Sequence, residues 1–266
     1  MRILFSGDVA WSPGREVFSA ALPTLKKDYG PFDFVIINCE NAAHGKGMTR
    51  KIFDAFIAEG VHAMTSGNHI WDKPDFFSVL NDDERVFRPA NYHASCPGQG
   101  HGIIEHKGKK LGILNLQGQA FMPPIDSPFT CADALVEELK ARGGESLPIF
   151  VDFHAEATSE KLALGYFLDG RVSAVVGTHT HVQTADERIF PKGTAFICDA
   201  GMTGAHGGLI GVTYESGKDK FLTGLPVRFE PCEELPAFNG VVVEIDDQSG
   251  LAVGITRVNL PVRLKT

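Results

Sequence analysis

The chain has 266 residues, 43% of them hydrophobic and 22% charged, and a net charge of -8 from 33 acidic and 25 basic side chains. That balance excludes a disordered or membrane-embedded protein and a broad electrostatic footprint for long nucleic acids, and no stretch approaches the roughly 20 apolar residues of a membrane span. A small anionic ligand is compatible with it if local cations hold the anion, and bound metal ions are the obvious source.

The length predicts one domain over residues 1–266. The opening Met-Arg-Ile-Leu-Phe meets Ser6, Gly7 and Asp8 before an apolar signal core can form, so a cytoplasmic location is expected. Cys39, Cys96, Cys131, Cys198 and Cys232 are scattered and odd in number, which predicts free thiols rather than a disulfide framework or a cysteine zinc site.

In chain order, strands are predicted at residues 2–6, 34–38, 61–65, 149–153 and 172–176, each rich in Val, Ile and Phe. Helical spacing falls at residues 50–59, 75–80, 132–142 and 159–168, the last with Ser159 as its expected cap. This alternation predicts an α/β fold with a largely parallel sheet. Residues 102–116 and 240–258 read as hairpins turning at Lys107-Gly108-Lys109 and Gln248-Ser249-Gly250, which adds a second, partly antiparallel sheet. Residues 121–130 and 201–236 are rich in Pro or Gly and read as long surface loops.

The five predicted strands run into polar residues that a hydrophobic strand does not need. They lead to Gly7-Asp8, Asn38-Cys39-Glu40-Asn41, Gly67-Asn68-His69, His154, and Gly177-Thr178-His179-Thr180-His181. Ligands of open α/β sheets bind outside the carboxyl ends of the strands. A sulfur-free set of carboxylates, imidazoles and an amide there suits Mn, Fe or Zn. Glu40 can bridge two ions through its two oxygens, and a bridging hydroxide can then attack phosphorus.

Singly, these residues have structural readings: Asp8 as a cap, Asn68 as a turn former, His154 as a hydrogen-bonded core histidine. Five such events at five strand ends favour the joint reading. His44 and His206 lie in Gly-rich segments that can approach a phosphate, but His44 reads first as a solvated loop histidine and a flexible loop explains the glycines around His206 as well. His62, His93, His101 and His106 read as surface or packing residues, and Phe121, Phe129 and Phe221 as core residues before base-stacking ones. Walker-type, dinucleotide-binding and serine-hydrolase motifs are lacking.

In their order, Gly7-Asp8, Gly67-Asn68-His69, His154 and Gly177-Thr178-His179-Thr180-His181 resemble the calcineurin-like metallophosphoesterases. Gly7-Asp8-Val9, Asn38-Cys39-Glu40-Asn41 and Gly201-Met202-Thr203-Gly204 resemble the YmdB-type bacterial 2′,3′-cyclic-nucleotide phosphodiesterases over essentially the whole chain. The resemblance implies two mixed β-sheets packed as a sandwich flanked by helices. It implies Asp8, Glu40 and His181 around one metal, and Glu40, Asn68, His154 and His179 around the other, with Asn41 joining or supporting the site. His69 would donate a proton to the leaving alkoxide.

Two departures from the broad superfamily, Ala10 in place of a histidine and Glu40 in place of an aspartate, match the YmdB-type pattern. The implied cofactors are two transition-metal ions, Fe or Mn before Zn, and the implied partner is a small phosphodiester. Neither a membrane nor a nucleic-acid polymer is expected, and homo-oligomerisation stays open. A phosphomonoesterase or nuclease on the same metals is the alternative within enzymes, and a regulatory metalloprotein with incidental turnover is the reading from another class.

Overall fold

The computed structural model describes residues 1–264. In chain order its elements are β1 (Arg2–Ser6), β2 (Asp8–Val9), α1 (Trp11–Asp28), β3 (Phe34–Asn38), α2 (Arg50–Glu59), β4 (Ala63–Thr65), a 3-10 turn (Pro74–Phe76) and α3 (Phe77–Asp82). There follow β5 (His101–His106), β6 (Lys109–Gln117), α4 (Pro128–Gly143), β7 (Ile149–His154), α5 (Thr158–Phe167), β8 (Ala174–Thr178), β9 (Arg188–Ile189), β10 (Ala195–Ile197), β11 (Met202–Ala205), α6 (Tyr214–Thr223), β12 (Pro236–Ile245) and β13 (Ala252–Pro261).

Two mixed sheets pack face to face. The first runs β2-β11-β12-β1-β3-β4 with β13 on β12, and the second runs β5-β6-β7-β8-β10-β9. β1, β3 and β4 pair in parallel in the first, and β6, β7, β8 and β10 in the second, whereas both predicted hairpins form antiparallel pairs, one in each sheet. The five predicted strands therefore divide between two sheets.

Strand faces with every residue buried need cover on both sides, and three apolar layers provide it. Ile3, Phe5 and Val243 meet Ile113, Phe150 and Val176 between the sheets. Phe5 and Phe150 approach to 5.0 Å between ring centroids, and burying such a ring contributes roughly 2 to 3 kcal/mol. Val17, Phe18, Phe53 and Phe76 cover the outer face of the first sheet, and Val136, Leu139 and Leu164 that of the second. Helix–sheet–sheet–helix layering is the result.

Several local expectations need correction. α1 was not anticipated, because Pro13, Gly14 and Pro23 disguise its Val17, Phe18, Ala21, Leu22 and Leu25 face. Residues 201–236 are more than a surface loop: they contain the buried β11 and the mostly exposed α6. Residues 121–130 give way to α4 at Pro128. α5 starts at Thr158 with Ala157 before it and no side-chain cap, so Ser159 does not cap it. Strands expected at 61–65 and 172–176 begin two residues later, at Ala63 and Ala174. All five cysteines are free, and no described helix is long and apolar enough to cross a membrane.

Candidate metal centre

The carboxyl ends of β1, β3 and β4 in one sheet meet those of β7 and β8 in the other, and the polar residues that follow them face a common cleft. Asp8 forms β2 with Val9, pairing with Met202 and Thr203 of β11. Its backbone passes so close to Gly201 that a Cβ on Gly7 would lie 1.9 Å from the Gly201 carbonyl oxygen. Glu40 and Asn41 follow β3, Asn68 and His69 follow β4, His154 ends β7, and His179 and His181 follow β8.

Glu40, His154 and His179 form a tight group whose donor atoms all lie within 4.8 Å of one another. His154 Nε2 is 3.0 Å from Glu40 Oε1 and 3.0 Å from His179 Nδ1. Neighbouring ligands on one ion with bonds of about 2.1 Å have about this spacing. No room is left for a side chain at position 67, where a Cβ would stand 2.2 Å from both Glu40 Oε2 and His154 Nε2.

Asp8 accepts the His179 backbone N–H at 3.1 Å through Oδ2, and its Oδ1, 3.9 Å from His154 Nδ1, is buried without a hydrogen-bond partner. Asn68 Oδ1 is also buried and unpartnered. Buried acceptors of this kind cost free energy unless something binds them. Two orphaned oxygens beside a carboxylate and two imidazoles fit a hard or borderline cation.

His181 Nε2 lies 3.2 Å from Asn41 Oδ1, while Asn41 donates to the Gly45 carbonyl at 2.9 Å. Asn41 and His181 thus stand together as a second flank, outside the Glu40 group. His69 differs from the rest: its backbone N–H donates to Glu40 Oε2 at 3.1 Å, but its ring turns to Asp72 Oδ2 at 3.0 Å on the partly exposed rim.

Backbone conformation explains how both histidines of the Thr178–His181 turn stay at the cleft. His179 and His181 adopt φ values of 100° and 63°, a left-handed geometry that costs non-glycine residues about 1 to 3 kcal/mol each. Such strain clusters where function needs a side chain aimed against local preference.

Electrostatics follow from burial and from neighbours. Burial disfavours charge on Glu40, yet the His154 imidazole beside it wins and holds the carboxyl at about 2. Burial likewise opposes a proton on His154, but without a metal Glu40 and Asp8 raise it to about 9, and a cation bound at Nε2 would displace that proton. Asp8 is pushed up by desolvation, against the pull of His181 and His154. Burial and the neighbouring His154 drive His179 down to about 3, which keeps that ring neutral and able to act as a ligand.

Behind the cleft lies a polar layer that the sequence reading missed. Asp152 of β7, fully buried, accepts from Asn38 Nδ2 at 2.9 Å, from the Thr65 hydroxyl and from Thr178 Oγ1 at 2.7 Å, which ties the two sheets together. With its proton given to Asp152, the Thr178 hydroxyl accepts from His154 Nδ1 at 2.9 Å and leaves Nε2 facing the cleft. On the other side Glu156 Oε2 stands 3.3 Å from His179 Nε2. These partners come from distant parts of the chain, and only their hydroxyl, amide or carboxylate chemistry on strand ends hinted at them.

Other histidines stay outside the cleft cluster. His44 is exposed, and His206 Nε2 bonds the Met202 carbonyl at 3.0 Å. His93 is exposed, His101 pairs with Glu138, and His62 packs against His106 with ring centroids 4.1 Å apart and planes tilted by 36°. Phe129 packs against the second-sheet core, but Phe121 and Phe221 are 92% and 77% exposed, against the expectation of core packing. Phe121 follows a segment anchored on the cleft. The Gly118 N–H donates to the His154 carbonyl at 3.0 Å, and Glu160 accepts from Gln119 and Ala120 N–H.

A family model described as YmdB-like protein matches residues 4–258. The chain is 53% identical over 258 residues to a 2′,3′-cyclic-nucleotide 2′-phosphodiesterase of Bacillus subtilis, covering 97% of this chain and 96% of that protein. Among solved structures, a hypothetical protein from Thermus thermophilus superposes with a TM-score of 0.90 at 40% identity, covering 99% of this chain and 100% of that one. A novel phosphatase from Mycoplasma pneumoniae superposes equally well, with a TM-score of 0.90 at 35% identity over 98% and 94% of the two chains. With matched positions running from β1 to β13 and taking in every residue of the cleft, the chain belongs to the YmdB-like family.

Proposed function

We propose that the chain is a phosphodiesterase that hydrolyses small cyclic phosphodiesters, 2′,3′-cyclic nucleotides foremost, in the cleft between the two sheets. The convergence of Glu40, His154 and His179 beside the orphaned oxygens of Asp8 and Asn68 carries the proposal. The activity named for the Bacillus subtilis relative supports it.

Asp8, Glu40, Asn68, His154, His179 and His181 would hold two metal ions, with Asn41 supporting His181. Fe and Mn suit this mixed set of three oxygen and three imidazole donors best, and Zn accepts it. Bound metals would supply Lewis-acid activation of water and charge stabilisation on the phosphoryl group.

The chain's own groups do the rest. Glu40, held at about 2 in the metal-free cleft, is ionised and ready to receive a cation. The neutral His179 ring keeps a lone pair on Nδ1, since Glu156 takes the proton side of Nε2. His69, on the rim and paired through Nδ1 with Asp72, can present Nε2–H to an alkoxide that would otherwise leave as a strong base. Phe121, exposed three residues after Gly118, whose N–H bonds the His154 carbonyl, would offer an aromatic face to a nucleobase.

Metal-loaded protein should turn over 2′,3′-cyclic AMP, and Asp8→Ala should abolish that turnover. Hydrolysis of phosphomonoesters but of no diester would contradict the proposal, and so would failure to hydrolyse any phosphate ester.

A further inference from the structure

Lys161 and Asp199 are each 1% exposed, and neither belongs to the set of metal-site residues. Lys161 projects from α5 under the turn that carries His179 and His181. Its Nζ donates to Asp199 Oδ2 at 2.7 Å and to the Thr178 carbonyl at 2.8 Å. Asp199 Oδ2 also accepts the Thr180 N–H at 3.1 Å and the Thr180 hydroxyl at 2.8 Å, and its Oδ1 accepts the Gly201 N–H at 2.8 Å. Gly201 in turn accepts the Asp8 N–H at 3.0 Å.

One buried ion pair thus grips Thr178 and Thr180, the residues preceding His179 and His181, and reaches Asp8 through Gly201. The space for it is kept clear by Gly177, where a Cβ would lie 2.9 Å from Lys161 Cδ and 1.8 Å from the Cys198 carbonyl oxygen.

Stability alone is a poor reason to keep such a pair, because a packed hydrophobic replacement of a buried ion pair is often as stable or more so. Strained backbone gives a better one. His179 and His181 hold left-handed φ values only while the surroundings over-determine them, and Asp199 fixes the backbone N–H and the hydroxyl of the residue between them.

We propose that Lys161 and Asp199 are positioning residues, a buried strap that holds the Thr178–His181 turn in its left-handed geometry and so aims both imidazoles at the metal centre. The inference rests on the metallophosphodiesterase reading above.

Three proteins test it: the parent chain, Lys161→Met/Asp199→Asn and Thr180→Val. The double variant removes both charges together and leaves no lone buried ion, and Thr180→Val deletes one hydroxyl contact to Asp199 while the pair stays. Each metal-free protein is titrated with Mn²⁺ against a competing chelator, folding is followed by circular dichroism and thermal unfolding, and kcat and KM are measured with 2′,3′-cyclic AMP.

The double variant should fold yet bind Mn²⁺ at least about tenfold more weakly and lose kcat with little change in KM, and Thr180→Val should fall between it and the parent. Folded variants that bind Mn²⁺ and turn over like the parent would overturn the strap, even if their melting temperature drops. Should the double variant not fold, Thr180→Val decides alone, and parent-like binding and kcat in it overturn the strap. A parent chain that binds no metal would instead contradict the metallophosphodiesterase reading.

Discussion

Glu156 Oε2 stands 3.3 Å from His179 Nε2, on the side of the imidazole opposite the Nδ1 that faces His154. A carboxylate behind a histidine fixes its tautomer and raises its basicity toward a metal, and losing such a partner typically costs 10- to 100-fold in affinity or activity, or about 1.4 to 2.7 kcal/mol. Glu156 is half exposed, so the lower end applies. Glu156→Gln should weaken Mn²⁺ binding about tenfold in a chelator competition, and unchanged affinity would assign Glu156 to the solvated surface.

His69 touches the centre through its backbone and presents its ring to the rim. His69→Ala should therefore keep its metal while turnover of 2′,3′-cyclic AMP falls by about 10² to 10⁴. Metal content and kcat measured on the same sample check this. Loss of metal along with turnover would make the ring a ligand.

Phe121 is held at φ 62° beside a loop segment bonded to His154 and Glu160, which leaves its ring exposed rather than packed. If the ring stacks on a base, Phe121→Ala should raise KM for 2′,3′-cyclic AMP about tenfold and leave a base-free cyclic phosphodiester unaffected. Equal effects on both substrates would remove it from base recognition.

At the opposite end of the sandwich, the Val35 N–H donates to His62 Nδ1 at 2.9 Å, so that nitrogen must be unprotonated. Burial and the adjacent His106 lower His62 to about 4 from its ordinary 6.5. The unfolded chain therefore binds the proton more readily. Stability is fully present above about 6.5 and is lost as pH falls toward 4. His62→Asn retains an acceptor without a titrating ring and should flatten the dependence of Tm on pH across that window. An unchanged slope would place the effect elsewhere.

Much of the candidate site was legible because its residues announce themselves locally. Asp8, Glu40, Asn68, His154, His179 and His181 each interrupt or follow an apolar strand, where a polar residue needs a reason. Which sheet each strand joins was not legible, since β12, far along the chain, pairs with β1.

The supporting residues were hidden for the same reason. Asn38 and Asp152 meet across 114 residues, and Lys161 looks in sequence like any lysine on a helix until α5 is docked over Asp199. Phe121 differs because an aromatic is usually core, whereas this one follows amides bonded to Glu160 and lies 92% exposed.

Glu40 lies at the middle of the account, with one oxygen on His154 and the other on the backbone N–H of His69. Elemental analysis of the purified parent and Glu40→Gln, with 2′,3′-cyclic AMP turnover measured on the same samples, tests that position most directly. Two transition-metal ions per chain and turnover are expected in the parent, with both lost together in Glu40→Gln. Two tightly bound metals in a Glu40→Gln protein that still turns over would contradict it.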